Sequence, residues 1–382
     1  MRSHIAYVNY GPQSGVTPNV RRELAALGHR ITLVDPTAVL DHRDRRTQKL
    51  RPTPRVLYSF AAGVLRFGPQ VMHHRWNTVF AFDEHTRSAG KLLASLPRSP
   101  DVVLQNGGIF SPGRPAPYPY VLLLDNTCRL AERQPPIPEA GIGKHVEFGK
   151  AWYQRERDTY LRASGIAAFS GVVRDSLVED YGIDPSAIVV TGAGANIAPD
   201  PRPVRRDDGR TLLFVGKDFR RKGGAVLLRA FRTLRQTRPD LRLLVAGPED
   251  SLDRGKGVTN LGAVPFERVR ELLSEATLFV LPTLREPFGI AYLDAMLCEV
   301  PCVGTSVGVV PEIVGDAGVL VPPADAGALA SAIAALLDDP HRRRALGAAG
   351  RKRVIERGYL WPDVARRLSD VLQAAAHGRR AA

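Results

Sequence analysis

Short apolar runs rich in β-branched residues alternate along this chain with segments whose apolar positions recur every three or four residues. In the first half the runs are HIAYVNY, RITLVD, DVVLQ, YVLLLD, GIAAFS and AIVVTG. In the second half they are TLLFVG, RLLVAG, NLGAV, TLFVLP, PCVGTS and GVLVP. Between them, TPNVRRELAALGH, AVLLRAFRTLRQTRPD and FERVRELLSEA carry helical spacing. Thr17-Pro18 reads as a helix start and Gly28 as a stop. Such alternation predicts parallel sheets with helices packed on both faces.

The two strand series are separated by APDPRPVRRDDGR, a proline- and charge-rich stretch over Ala198–Arg210. A chain of 382 residues is also too long for one ordinary core. The expected organisation is an N-terminal domain over 1–197, a linker over 198–210 and a C-terminal domain over 211–360. Both are expected to be doubly wound α/β domains, facing a cleft. The last helical pattern, WPDVARRLSDVLQAAA within 361–382, follows the final strand and is expected to cross back to the first domain.

Composition changes this picture little. Hydrophobic content is 44% and charged content 24%, ordinary for a folded protein. No apolar run approaches the roughly 20 residues that span a bilayer. The start, MRSHIAYVNYGP, turns at once into Gly-Pro and does not read as a signal peptide. Cys128, Cys298 and Cys302 are too few for a disulfide framework or a four-cysteine zinc site, so a reducing, cytoplasmic setting is expected. The net charge of +14 favours anionic partners: nucleic acid, anionic lipid or a phosphorylated small molecule. The charge is mostly arginine spread along the chain, which also fits a plain solvated surface, HRRRALGAAGRKR included. No nucleic-acid-binding motif occurs.

Ligands of open parallel sheets bind beyond the carboxyl ends of the strands, so unusual residues there are the candidates. In LLFVGKDFRRKGGAVLLRAF a strand ends at Val215-Gly216, a loop carries Lys217, Arg220, Arg221 and Lys222, and Gly223-Gly224 opens a helix. Cations beside free amides at a helix N-terminus suit a diphosphate; the alternative is a solvated basic loop. In VLPTLREPFGIAYLDAM, Glu286-Pro287-Phe288-Gly289 leads into a helix, and the amides of Phe288, Gly289 and Ile290 are expected to be free. Glu286 there is either a dipole-matched charge or a ligand. Asp294 lies eight residues on, about 12 Å along a helix and on the same side. Asp is a poor mid-helix residue and costly when buried unpaired. Two such acceptors with phosphate-binding amides between them match a nucleotide sugar. NYGPQSGVTPNV, where Gly15 precedes a helix capped by Thr17-Pro18, is a third turn of this shape, or a plain one. GTSVGVVPEIV is a fourth, with Glu312 readable as a helix-capping charge.

FVGKDFRRKGG, a strand ending VAGP, EPFGIAYLDAM and VPCVGTSVGVVPEIVGDAGVLVPP occur in that order, and together they resemble the retaining glycosyltransferases of family 4. The resemblance covers about Thr211 to Leu337; in the first half only NYGPQSG, LAALGHRITLVD and the segment from Arg155 to Asn196 fit. It implies the GT-B architecture: two Rossmann-like domains, the donor bound mainly by the C-terminal one, and no metal. It implies that Lys222 holds the donor diphosphate, Glu286 sits by the donor sugar and Asp294 holds the ribose. Phe288, Gly289 and Ile290 would offer backbone amides, and the base would lie near Gly247-Pro248 and Gly262-Ala263. Gly15 would approach the reacting end from the first domain.

Three departures stand out. The second acid of the pair is Asp294 where the family usually has glutamate. Lys217 stands where the family commonly has arginine, with Arg221 beside Lys222, so either supplies the second cation. Where many members place a histidine after a middle strand of the first domain, YVLLLD ends in Asp125-Asn126-Thr127, and Asp125 is the candidate for that role.

The function implied is retaining transfer of a hexose-type sugar from a nucleotide sugar, UDP- or GDP-linked, to a glycan, lipid-linked glycan or small molecule, with no further cofactor. Rival readings are a sugar-nucleotide epimerase of the same architecture and a basic nucleic-acid-associated binding protein, the latter suggested by charge alone. DHRDRRTQKLRPTPR followed by VLYSFAAGVLRFG sets a basic stretch before an apolar one. It reads either as a surface loop before a buried helix or as a peripheral contact with anionic lipid on the inner face of a membrane.

Overall fold

A computed structural model describes residues 2–10, 14–44, 46–68, 71–74, 76–134, 136–138, 147–199, 204–247 and 255–378. Of these, residues up to 133, from 147 to 192 and from 364 on form one compact unit; 134, 136–138 and 193–363 form the other.

The sheet of the first unit contains β1 (His4–Val8), β2 (Arg30–Val34), β3 (Val102–Asn106), β4 (Tyr120–Leu124), β5 (Gly165–Ala168) and β6 (Ile188–Val190). Its order is β2-β1-β3-β4-β5-β6, and every pairing is parallel. The strands read as unbroken apolar runs because both faces are covered: β1, β3, β4 and β5 are buried at every position. Helix starts between them carry hydroxyl caps. Thr53, Thr78 and Ser170 each accept a hydrogen bond from an amide of the first turn. The helix predicted to be capped at Thr17-Pro18 runs Val16–Ala26 instead, with Gly15 as its cap at φ 86°. Thr17 is already inside that helix and donates its hydroxyl to Asn9. The final helix, Trp361–Ala376, lies mostly in this unit. There Ser369 Oγ meets His29 Nε2 at 2.9 Å, the Arg367 guanidinium donates to the Thr191 carbonyl, and Val371 covers Gly165.

The second unit's sheet contains β7 (Thr211–Val215), β8 (Arg242–Ala246), β9 (Val258–Gly262), β10 (Leu278–Leu281), β11 (Cys302–Thr305) and β12 (Gly318–Val321). Its order is β12-β11-β10-β7-β8-β9, again all parallel. The run NLGAV is the tail of β9 rather than the strand itself. This edge strand begins at Val258, is only half-buried, and leaves the sheet after Gly262 at φ 63°. In this unit Ala195 pairs with Leu360, so the chain enters and leaves it along neighbouring paths.

Among the described residues no helix is long and apolar enough to cross a membrane, and no group of residues is arranged to hold a metal ion. Cys298 and Cys302 are buried, Cys128 is half-buried, and all three are free thiols.

Candidate active site

The strand order of the second unit reverses direction between β7 and β10. Such a switch point splays the loops that follow the two strands and opens a crevice at their carboxyl ends. The loop after β7 carries Lys217 to Gly224, and the loop after β10 carries Pro282 to Gly289. The two are tied backbone to backbone. Leu284 donates its amide to the Arg221 carbonyl at 2.9 Å, and the Arg221 guanidinium donates to the Arg285 carbonyl at 2.7 Å. Gly223 lies so close to Pro282 that a Cβ there would fall 1.8 Å from the Pro282 carbonyl oxygen.

This packing brings Lys222 and Glu286 together although 64 residues separate them. Lys222 Nζ donates to Glu286 Oε2 as a close ion pair, with both side chains largely buried. Burial pulls the Lys222 amine below its ordinary value, the Glu286 carboxylate pulls it back, and neighbouring Arg221 adds to the lowering. The loop after β11 backs the pair: Gly308, at φ 52°, presses on the Glu286 carbonyl, where a Cβ would sit 2.8 Å away. Gly308 was not singled out from the sequence. Its signal was a glycine in the flagged stretch GTSVGVVPEIV, but the contact depends on where β11 lies.

Two helix N-termini border the pair. Gly223 at φ 75° caps the helix Gly224–Thr237, and Gly289 at φ 99° caps the helix Ile290–Leu297. Neither has a side-chain cap, which leaves first-turn amides for a ligand. Phe288 and Ile290 are buried, and the Phe288 ring meets Tyr359 edge-on at 6.1 Å. The Tyr292 hydroxyl donates to the Leu281 carbonyl and fixes the helix to β10. Lys217 is exposed, and Arg221 is half-buried with its Nε on Asp218 at 3.2 Å. Gly216, Gly247 and Gly262 lie at the carboxyl ends of β7, β8 and β9. Gly247 donates to the Gly262 carbonyl at 2.7 Å and packs on Gly216, while among the described residues no atom meets the Cβ side of Gly262. Pro248 lies outside the described residues.

Asp294 is buried on the helix Ile290–Leu297, and its Oδ1 accepts the amides of Asn196 and Ile197 at 2.7 and 3.0 Å. Burial raises its carboxyl to about 7, against the pull of those two amides. The folded chain therefore holds a proton there that the unfolded chain releases near pH 4. The stability contribution is fullest below pH 4 and declines as pH rises toward 7, opposite to a salt-bridged carboxylate. Asp294→Asn keeps an oxygen for both amides and cannot ionise. Relative to the wild type it should gain stability between about pH 4 and pH 7, by a few kcal/mol at most. Urea midpoints across that range measure this; a pH-independent difference would mean the carboxyl ionises normally.

Gly15 and Asp125 belong to the first unit, at the carboxyl ends of β1 and β4. The Gly15 carbonyl accepts from Asn19 Nδ2 at 2.8 Å. Asp125 is half-buried, just before Thr127, which caps the helix Cys128–Glu132. A separate pocket of about 480 Å³, lined by Arg206, Arg268, Glu271 and Cys298 among others, shares no residue with the Lys222–Glu286 site. It opens past the C-terminal end of the Ile290–Leu297 helix, against one side of the helix Phe266–Glu275.

Residues 209–339 match the family described as glycosyl transferases group 1. The chain is 32% identical over 253 residues to the alpha-maltose-1-phosphate synthase of Mycolicibacterium smegmatis, covering 56% of this chain and 64% of that protein. It is 35% identical over 170 residues to a GDP-mannose-dependent monoacylated alpha-(1-6)-phosphatidylinositol monomannoside mannosyltransferase of Corynebacterium glutamicum, covering 40% and 44%. The matched segments thus span less than two thirds of either relative's own length. Among solved structures, a sucrose-phosphate synthase from Thermosynechococcus elongatus aligns over 97% of this chain and 98% of its own, with TM-score 0.72 and 20% identity. WaaG, a glycosyltransferase involved in lipopolysaccharide biosynthesis, aligns over 96% and 99% with TM-score 0.67 and 16% identity. The chain therefore has the GT-B fold, and its residues 209–339 match the family of group 1 glycosyl transferases.

Proposed function

We propose that the protein transfers a hexose from a nucleoside diphosphate sugar to an acceptor hydroxyl, with retention at the anomeric carbon. The observation that carries this is the buried Lys222–Glu286 pair at the switch point of the second sheet, between two uncapped helix N-termini. A diphosphate entering there takes Lys222 as its counter-charge, Arg221 or Lys217 as a second cation, and the Gly223 and Gly289 helix ends as amide donors. Glu286, released from the lysine, orients hydroxyls of the donor sugar. The Oδ2 of Asp294 takes the ribose, and the base lies over Gly247 and Gly262.

Breaking the bond between anomeric carbon and diphosphate leaves an oxocarbenium-like sugar and a polyanion. The cations and helix ends are positioned to stabilise charge growing on the leaving oxygen. The acceptor attacks from the leaving-group side, and a phosphate oxygen takes its proton, so a strong protein base is not required. Gly15 and Asp125 are the first unit's proposed contributions at its own strand ends. The relatives' names speak of maltose-1-phosphate and phosphatidylinositol mannoside chemistry, which supports a sugar or a glycolipid as the acceptor.

A thermal-shift screen of UDP-, GDP-, ADP- and dTDP-linked glucose and mannose tests the donor. A saturating donor should raise the melting point by on the order of 5 °C. No shift with any of them would overturn the reading. Product analysis with the best donor follows: a donor that isomerises with no acceptor present would favour an epimerase, and an inverted product would remove the retaining mechanism.

A further inference from the structure

The helix Pro54–Phe67 in the first unit turns most of its large apolar side chains outward. Its buried face is Val56, Ser59, Gly63 and Phe67. Its outward face carries Leu57, Tyr58, Phe60, Val64 and Leu65, and Leu65 is 90% exposed. A helix lying on a soluble domain normally points its large apolar residues inward. With exposed Ala61 between them, these side chains cover roughly 160° of the helix circumference. Tyr58 continues the patch onto the helix Val79–Ala94 through an edge-on contact with Phe80, ring centroids 4.6 Å apart.

Cations border this face. Arg55 and Arg66 lie at one edge, both exposed. The preceding loop presents exposed Arg43, Arg46 and Lys49, together with Leu50 at 68% exposure. Among the described residues, Glu84 pairs with Arg87 and, at 3.5 Å, with Arg55, so Arg55 adds little net charge, and Asp44 accepts the amides of Arg46 and Thr47 in its own turn.

We propose that this face docks on an anionic lipid bilayer. The aliphatic side chains enter the acyl boundary, Tyr58 sits at headgroup level, and the arginines and Lys49 meet lipid phosphates. The charge complementarity favours lipid over a second copy of the chain. An antiparallel two-fold contact through this face would bring the arginine edge of one copy against the same edge of the other, Arg55 facing Arg66 of the second copy. The inference does not depend on the sugar-donor reading, and its test uses no nucleotide sugar.

The test is co-sedimentation of the full chain with vesicles of phosphatidylcholine alone and of phosphatidylcholine mixed with phosphatidylglycerol. Binding should favour the anionic vesicles and weaken as salt is raised. Leu57→Ser with Leu65→Ser should lower the partition coefficient about tenfold or more, with an unchanged melting point because both side chains are exposed. Leu65→Trp should bind at least as well as the wild type and shift its fluorescence to the blue on anionic vesicles. The proposal is overturned if the wild type stays in the supernatant with both vesicle types, or if the double leucine variant sediments like the wild type. A dimer in gel filtration that the leucine variant disperses, without lipid binding, would overturn it in favour of a self-association face.

Discussion

Replacing Lys222 by methionine should lower kcat/KM for sugar transfer by on the order of 100- to 1000-fold, the usual effect of removing a group that stabilises developing charge. The loss should fall on kcat as well as on donor affinity, because the negative charge on the leaving diphosphate grows as the bond breaks. The variant has a second consequence. Glu286 is buried and paired with this amine, so Lys222→Met alone leaves a carboxylate without its counter-charge. That can cost on the order of 3–5 kcal/mol and would confound an activity measurement with unfolding. The companion variant, Lys222→Met with Glu286→Gln, removes both charges and should recover most of the stability while transfer stays low. Melting curves and steady-state rates on the two proteins separate these effects. Transfer within a few-fold of wild type in either variant would take Lys222 out of the mechanism.

Gly223→Ala should destabilise the second unit by roughly 3–5 kcal/mol and abolish donor binding in whatever fraction still folds. Two costs add. At φ 75° the backbone is in the left-handed region that alanine resists. The new methyl would also lie 1.8 Å from the Pro282 carbonyl oxygen and 2.7 Å from its carbon, so the strand-end loops would have to part. The atom in the way is backbone rather than the tip of a flexible side chain, so relief by a rotamer change is not available. Because the same contact holds Lys222 beside Glu286, the donor site should fail with it. Denaturant unfolding and a donor thermal shift check both halves. Near-wild-type stability would show that this approach relaxes freely.

The sheets were legible because a parallel strand buried on both faces is an unbroken apolar run, as YVLLL and TLLFV show. The half-buried edge strand β9 was misplaced at NLGAV for the same reason: the apolar end of its run leaves the sheet, and its paired start, Val258-Thr259, is only moderately apolar. The cap of the first long helix was assigned to Thr17-Pro18 on residue type, whereas a left-handed glycine takes the position. At the site, the residues and their strand-end placement could be read from motif order. Their mutual contacts could not. Lys222 meets Glu286 because β10 inserts beside β7. Asp294 meets the amides of Asn196 and Ile197, about a hundred residues upstream, through the path the chain takes into the second unit. The stretch VLYSFAAGVLRFG showed an apolar helix but not which side would turn outward. That depends on Ser59 and Gly63, which with Val56 and Phe67 form the face that lies against the protein.

The final helix gives the chain an unusual order of assembly. The first unit takes residues from both ends, and Ser369, Arg367 and Val371 are the contacts that close its sheet against His29, Thr191 and Gly165. During synthesis, β1 to β6 leave the ribosome long before those contacts exist, while all of β7 to β12 precede Trp361. The second unit can therefore be complete while the first still waits for its last helix. A nascent chain halted just after Asp363 would carry every residue of the second unit while its first unit, still without the closing helix, stayed open to proteases.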